Sequence, residues 1–305
     1  VEVTAGSSMT EIRDNVISGN GNHGIMINGA GCDQNSIHGN LIGLDGTGTS
    51  GLGNAWRGVA IYAGSQNVIG SGIPGDRNHI SANSHYGIEI GGAQATQTSV
   101  QGNSVGVDIF GDPLGNSWSG VGLTNGTLNN LVGGTGIGEA NIIAHNDDAG
   151  VALFEAATVD NSISANRIHD NGWEGIYFGI NNPNRNQPAP VITAAVLNDG
   201  LGVTGSLTAA ANASYHLEFF ATPSSTMPWQ GEQLIGTVAL ATNGSGIGAF
   251  DLVFPVYVPV GNGITATATA DATGDTSRFS GAVAVTANDT DGDSMPNGYE
   301  TAHGL

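Results

Sequence analysis

Asp289, Asp291 and Asp293 alternate with other residues, and Met295, Asn297 and Glu300 follow at the spacing of a twelve-residue cation loop. The three aspartates would offer carboxylates, Met295 its carbonyl, Asn297 a direct or water-bridged contact, and Glu300 two oxygens. Calcium suits such a set because it accepts about six to eight hard oxygens in a flexible geometry. Calcium is therefore the expected cofactor. The position that usually carries a sharp-turn glycine holds Ser294, which weakens the expected affinity.

A second set of residues could bind sugar. Trp56, Trp118 and Trp173 each stand two residues before a recurring glycine, with Asn22, His85 and Asp148 at the same place in intervening units. Indole offers an apolar face and an N–H donor, which suits stacking on a pyranose. If the units stack at strand spacing, neighbouring tryptophans come about 9.6 Å apart, near the repeat of a disaccharide in an extended glycan. The bland reading lays each indole over a glycine-rich corner to shield the core.

Candidates for bond-breaking chemistry are thinner. Glycoside hydrolysis needs two carboxyl groups about 5 Å or about 6.5–9.5 Å apart, and Asp147, Asp148 and Glu174 are the available set. Polysaccharide elimination needs a base and a cation. The chain has no lysine, and Arg13, Arg57, Arg77 and Arg167 are scattered; Arg167, His169 and Asp170 form the only tight cluster, read as a solvated turn. Asp is common in turns for conformational reasons alone. The histidines show no metal-ligand spacing, and His23, His38, His79, His85, His145 and His169 are each expected to stand isolated in a turn or on an outward strand position.

Composition narrows the classes. The 305 residues include 26 acidic and 6 basic ones, a formal charge of -20, 50 glycines and one cysteine. Such a balance argues against nucleic acid, whose duplex binding relies on basic groups, and equally against an anionic membrane surface, so no nucleic-acid partner is expected. Cys32 alone supports neither a disulfide framework nor a zinc finger. No apolar run reaches the roughly 20 residues of a membrane span, so no membrane insertion is expected. Glycine does not recur every third residue, which removes collagen, and the recurring aliphatics argue against disorder.

The elements that must position these residues are repeats. Gly24-Ile25-Met26-Ile27, Gly58-Val59-Ala60-Ile61, Gly87-Ile88-Glu89-Ile90, Gly120-Val121-Gly122-Leu123, Gly150-Val151-Ala152-Leu153 and Gly175-Ile176-Tyr177-Phe178 share one pattern. Two inward aliphatics flank one outward residue, the period of a pleated strand. A hexapeptide Asn-x-Ile-x-x-Asn begins at Asn15, Asn35, Asn78, Asn141, Asn161 and Asn166, with a variant at Thr98. Asparagine tolerates left-handed corners, and stacked amides can hydrogen-bond along a ladder. Strands this short need stacking to bury a column, the logic of a solenoid of about seven coils.

The segments Asn15-Val16-Ile17-Ser18-Gly19-Asn20 and Asn40-Leu41-Ile42-Gly43-Leu44-Asp45-Gly46-Thr47-Gly48 resemble the repeats of secreted bacterial right-handed parallel β-helix proteins. Right-handedness is what the resemblance implies, in line with the crossover rule. The likeness covers roughly residues 1–180. Residues 181–190, with Pro183, Pro188 and Pro190, read as a linker or cap. Residues 191–288 show about seven alternating runs and resemble the immunoglobulin-like β-sandwich that follows such coils, carried by Leu217-Glu218-Phe219-Phe220-Ala221 and Ile264-Thr265-Ala266-Thr267-Ala268-Thr269. Residues 289–305 resemble the calcium loops of thrombospondin type 3 and dockerin modules, truncated after Leu305. The polygalacturonases of the coil family contribute no residue assignment, because only the aspartate pair has a counterpart here.

The expected fold class is thus all-β: a parallel β-helix, an antiparallel β-sandwich and an EF-hand-like loop. The expected function is a non-catalytic structural and adhesive module of a secreted or cell-surface bacterial protein, binding polysaccharide or cell-surface glycan along the coil. The alternative is a polysaccharide lyase or glycoside hydrolase on the same scaffold. Val1-Glu2-Val3 already reads as a repeat strand, so self-association through an uncapped coil end and continuation of the chain beyond both ends are further expectations.

Overall fold

The computed structural model describes residues 1–4, 6–223, 229–287, 300 and 303. They form an all-β chain in two compact units, Val1–Asn186 with Gly274–Thr276, and Gln187–Thr273 with Ser277–Leu305. No helix among the described residues is long and apolar enough to cross a membrane.

The first unit is built on three long parallel sheets. The first has seven strands: Glu2–Thr4, Ile25–Asn28, Val59–Ile61, Ile88–Gly91, Val121–Thr124, Val151–Leu153 and Ile176–Phe178. The second has six: Val16–Ile17, Leu41–Ile42, His79–Ile80, Ser104–Val105, Ile142–Ala144 and Arg167–His169. The third also has six: Glu11–Arg13, Ser36–His38, Val68–Ile69, Ser99–Val100, Leu131–Gly133 and Ser162–Ser164. The chain visits the first, third and second sheets in fixed rotation, and each new strand pairs with its counterpart one pass earlier. This arrangement is compatible with a β-helix.

Register stacks like on like. Ile27, Ile61, Ile90, Leu123 and Leu153 form one column of the first sheet. Ile37, Ile69, Val100, Val132 and Ile163 form another in the third sheet, and Ile42, Ile80, Val105, Ile143 and Ile168 one in the second. All of these side chains are buried. Each contributes about 1.5–3 kcal/mol of transfer free energy relative to exposure.

Between the sheets run asparagine ladders. Asn15, Asn40, Asn78, Asn103, Asn141 and Asn166 are joined in sequence by amide-to-amide bonds. Asn20, Asn54, Asn83, Asn116, Asn146 and Asn171 form a second ladder. The left-handed conformation expected of these asparagines belongs instead to the residue before them at many corners, including Asp14, Ala82, Gly102, His145 and Asp170. The amide is therefore selected for its donors and acceptor rather than for its backbone freedom.

A third ladder is interrupted. Asn35 donates to Asn67, and Asn130 donates to Asn161. Thr98 stands between these pairs. Its N–H reaches Asn130 Oδ1 at 2.9 Å. Its hydroxyl and the Asn67 amide nitrogen are buried without a hydrogen-bond partner. A hydroxyl is too short to bridge the rung that a carboxamide spans.

The second unit holds two four-stranded sheets. One orders Ile247–Phe254, Leu201–Thr208, Val191–Leu197 and Thr286–Ala287; the other orders Gln233–Ala241, Ser214–Thr222, Gly263–Ala270 and Val283–Ala284. Pairing is antiparallel except between Val191–Leu197 and Thr286–Ala287. Leu201, Val203, Leu217, Phe219, Phe250, Phe254, Ile264 and Ala266 share one apolar cluster, compatible with a β-sandwich. The alternation expected along Gly263–Ala270 is only half visible in burial, because Thr265 and Thr267 are also buried. The Thr265 hydroxyl donates to Gln230 O at 3.2 Å, which shows what covers that side.

Candidate functional site

The outward column of the first sheet carries the site. In register it reads Glu2, Met26, Ala60, Glu89, Gly122, Ala152 and Tyr177. Strand alternation alone predicts water on this face. Ala60, Glu89 and Ala152 are nevertheless buried, Glu89 being 3% exposed. Aromatic residues flanking the strands fold back over the small ones. Tyr86 lies over Gly122, where a Cβ would stand 3.1 Å from the ring. Any larger residue at 122 would make that ring give way by a few tenths of an ångström.

Under this cover sits a paired charge. Arg57 Nε lies 2.7 Å from Glu89 Oε2 as an ion pair. The Tyr62 hydroxyl donates to Glu89 Oε2 at 2.9 Å, and Thr124 Oγ1 donates to Oε1 at 3.2 Å. Burial, and then the Glu89 charge, push the Tyr62 and Tyr86 phenols well above the ordinary tyrosine range. Both phenols therefore stay protonated at neutral pH, and Tyr62 keeps its hydrogen bond. The Arg57 guanidinium also stands 4.7 Å from the Trp56 ring centroid, a cation–π distance.

Trp56, His85 and Trp118 stack along the rim. Ring centroids are 4.6 Å apart for Trp56 and His85, and 3.8 Å apart for His85 and Trp118, the latter pair within 20° of parallel. Tyr86 meets Trp118 edge-on at 5.5 Å. The space expected between neighbouring tryptophans is thus filled by His85, and one face of Trp118 is covered. The indole edges and the faces that remain stay open to solvent. Trp56, Trp118 and Trp173 are 42%, 46% and 51% exposed. Asp148 holds the corresponding place between Trp118 and Trp173, and it accepts from Ser119 Oγ at 2.7 Å.

His85 makes the stack sensitive to acid. Burial, and then the charges of Arg57 and His23, push its imidazole down to about 4. An unfolded histidine titrates near about 6.5. Between these values the unfolded chain binds more protons, so stability rises with pH there. The contribution is complete above about pH 6.5 and is lost as pH falls toward about 4. Burial lowers the imidazoles of His23 and His79 too. A loss of about 2 kcal/mol is expected from His85 by about pH 4.5. His85→Phe should flatten that part of the curve; the same acid-induced fall in melting temperature in parent and variant would refute the assignment.

The other sequence candidates lie on the second sheet and in the turns that follow it. Asp147 is exposed and Asp148 half-buried in the turn after Ile142–Ala144. Glu174 lies one pass later, its carbonyl accepting from Gly150 N at 3.2 Å. Arg167 and His169 stand at the two ends of their strand. Asp289, Asp291, Asp293, Met295 and Asn297 lie outside the described residues, and Glu300 lies within them.

Two expectations are corrected. Arg57 is not a scattered charge but the partner of Glu89, one coil away. The histidines are not isolated: His85 is stacked, His23 meets Tyr62 edge-on at 5.9 Å, and His145 meets His169 at 6.0 Å. The available signal was Glu89 itself, a carboxylate in an outward column whose immediate neighbours are Ala60 and Gly122. No family model matches this chain, and none of the curated proteins matches it.

Proposed function

We propose that the first unit is a right-handed parallel β-helix that binds glycan along its seven-stranded face. In this reading the chain is a non-catalytic structural and adhesive module of a secreted or cell-surface bacterial protein. The second unit is an immunoglobulin-like β-sandwich spacer. Calcium binds at Asp289, Asp291, Asp293, Met295, Asn297 and Glu300, and a melting curve unaffected by chelator would remove that part.

The observation that carries the reading is the Trp56–His85–Trp118 stack beside the ion pair of half-buried Arg57 with buried Glu89. Half-exposed indoles backed by a neutral ring give a stiff apolar edge with N–H donors, a surface suited to sugar rings. Stiffness matters because little freedom is then lost on binding. Glu89 is poorly placed for acid–base work, since an arginine, a tyrosine and a threonine already engage its two oxygens. A carboxylate so satisfied holds a shape rather than transferring a proton.

The test is a glycan array probed with the parent, Trp56→Ala and Trp118→Ala. Binding by the parent and a loss of at least about ten-fold in each variant are expected, the scale of an interface anchor. Equal binding by all three, or none by the parent, would overturn the reading. Release of reducing or unsaturated sugar from a bound polysaccharide would turn it toward the enzyme alternative.

A further inference from the structure

The corner preceding the second asparagine ladder is occupied by Gly19, Gly53, Ala82 and Gly115 in four passes. In the next two passes it carries His145 and Asp170 instead. Both of these adopt left-handed backbone, at φ 59 and 53. The strands Ile142–Ala144 and Arg167–His169 pair in register, with Ala144 opposite His169. Asn146 then donates to Asn171 Oδ1 through both its backbone and its side chain, at 3.1 and 2.9 Å. Register and ladder together hold the two corners one above the other and bring His169 beside them.

The donor atoms of His145, His169 and Asp170 all lie within 4.8 Å of one another. His169 Nδ1 and Asp170 Oδ2 are 2.9 Å apart. This contact is a hydrogen bond; two ligands about 2.1 Å from one tetrahedral ion stand about 3.4 Å apart, so the pair would open by about half an ångström to take one. His145, within 4.8 Å of the other two donors, closes by side-chain rotation while the ladder holds the backbone. The His169 side chain is 16% exposed and that of Asp170 is 65% exposed, so the group opens to solvent on the carboxylate side.

We propose that His145, His169 and Asp170 form a binding site for a borderline divalent cation of the zinc class. Two imidazoles and one carboxylate favour such an ion over calcium or magnesium, which prefer all-oxygen sets. Three protein ligands leave a further position for water on the exposed side. The high negative charge of the chain raises the local concentration of cations. The site shares no residue with the indole stack or with the acidic segment at 289–300.

Isothermal titration of the full chain with zinc chloride, in excess calcium to fill oxygen-only sites, tests the proposal. One ion per chain is expected to bind and raise the melting temperature. His145→Ala and His169→Ala should each weaken zinc by at least ten-fold, on the order of what loss of a metal-site group costs. His79→Ala, a histidine outside the cluster, should bind as the parent does. Should an alanine variant fail to fold, Asp170→Asn takes its place and must also lose affinity. No binding by the parent, or unchanged affinity in the folded cluster variants, overturns the site.

Discussion

Asn103→Ala is expected to destabilise the first unit by about 4 kcal/mol. The Asn103 amide nitrogen serves Ile69 O at 2.8 Å, Gln101 O at 3.0 Å and Asn141 Oδ1 at 3.0 Å. Its oxygen accepts from Asn78 Nδ2 at 2.9 Å. Truncation strands these buried groups, each costing about 1–3 kcal/mol when left without water or a partner. For a unit of this size the melting temperature should fall by about 10 °C. Fluorescence of Trp56, Trp118 and Trp173, all in the first unit, reports the transition. Thr98→Asn is the converse experiment. It supplies the carboxamide missing from the third ladder and should add about 1–2 kcal/mol, since Asn67 gains an acceptor. If both variants melt with the parent, the ladders are bystanders and the apolar columns alone hold the coil.

Glu89→Ala is expected to cost about 3 kcal/mol, because it leaves Arg57 half-buried and unpaired and removes the acceptor for Tyr62 and Thr124. The loss comes mainly from the stranded cation rather than from attraction forgone. Replacing both charges, with Arg57→Met and Glu89→Leu, should therefore recover most of the stability. A double variant as unstable as Glu89→Ala would show that the pair contributes net attraction instead. Glycan binding by the folded double variant tests whether the proposed recognition needs the cation as well as the indoles. The indole edges persist in it, while the cation beneath Trp56 is gone.

The register of this chain was legible because it repeats. Each Gly-aliphatic-x-aliphatic tetrad announces a strand, and their common pattern aligns Ile27, Ile61, Ile90, Leu123 and Leu153 before any coordinate is known. The Asn-x-Ile-x-x-Asn motif likewise announces two ladder positions at once. Thr98 stood out as the irregular member, and it proves to be where the ladder breaks. The burial of Glu89 was not legible. Strand period says only which way a side chain points, and the cover over it comes from Tyr62 and Tyr86, in turns of unequal length. Charges one coil apart look scattered along the chain, and Arg57 looked so.

The amino-acid sequence by itself determined that this is an all-β chain whose front portion repeats, because periodic burial is a local property that recurs with each pass. Only the tertiary structure decided which outward residues escape water, which rings share a face, and that His145 stands over Asp170. Those outcomes depend on stacking neighbours brought together across 25 to 34 residues of turn and strand, where a single residue added or lost would slide one pass against the next.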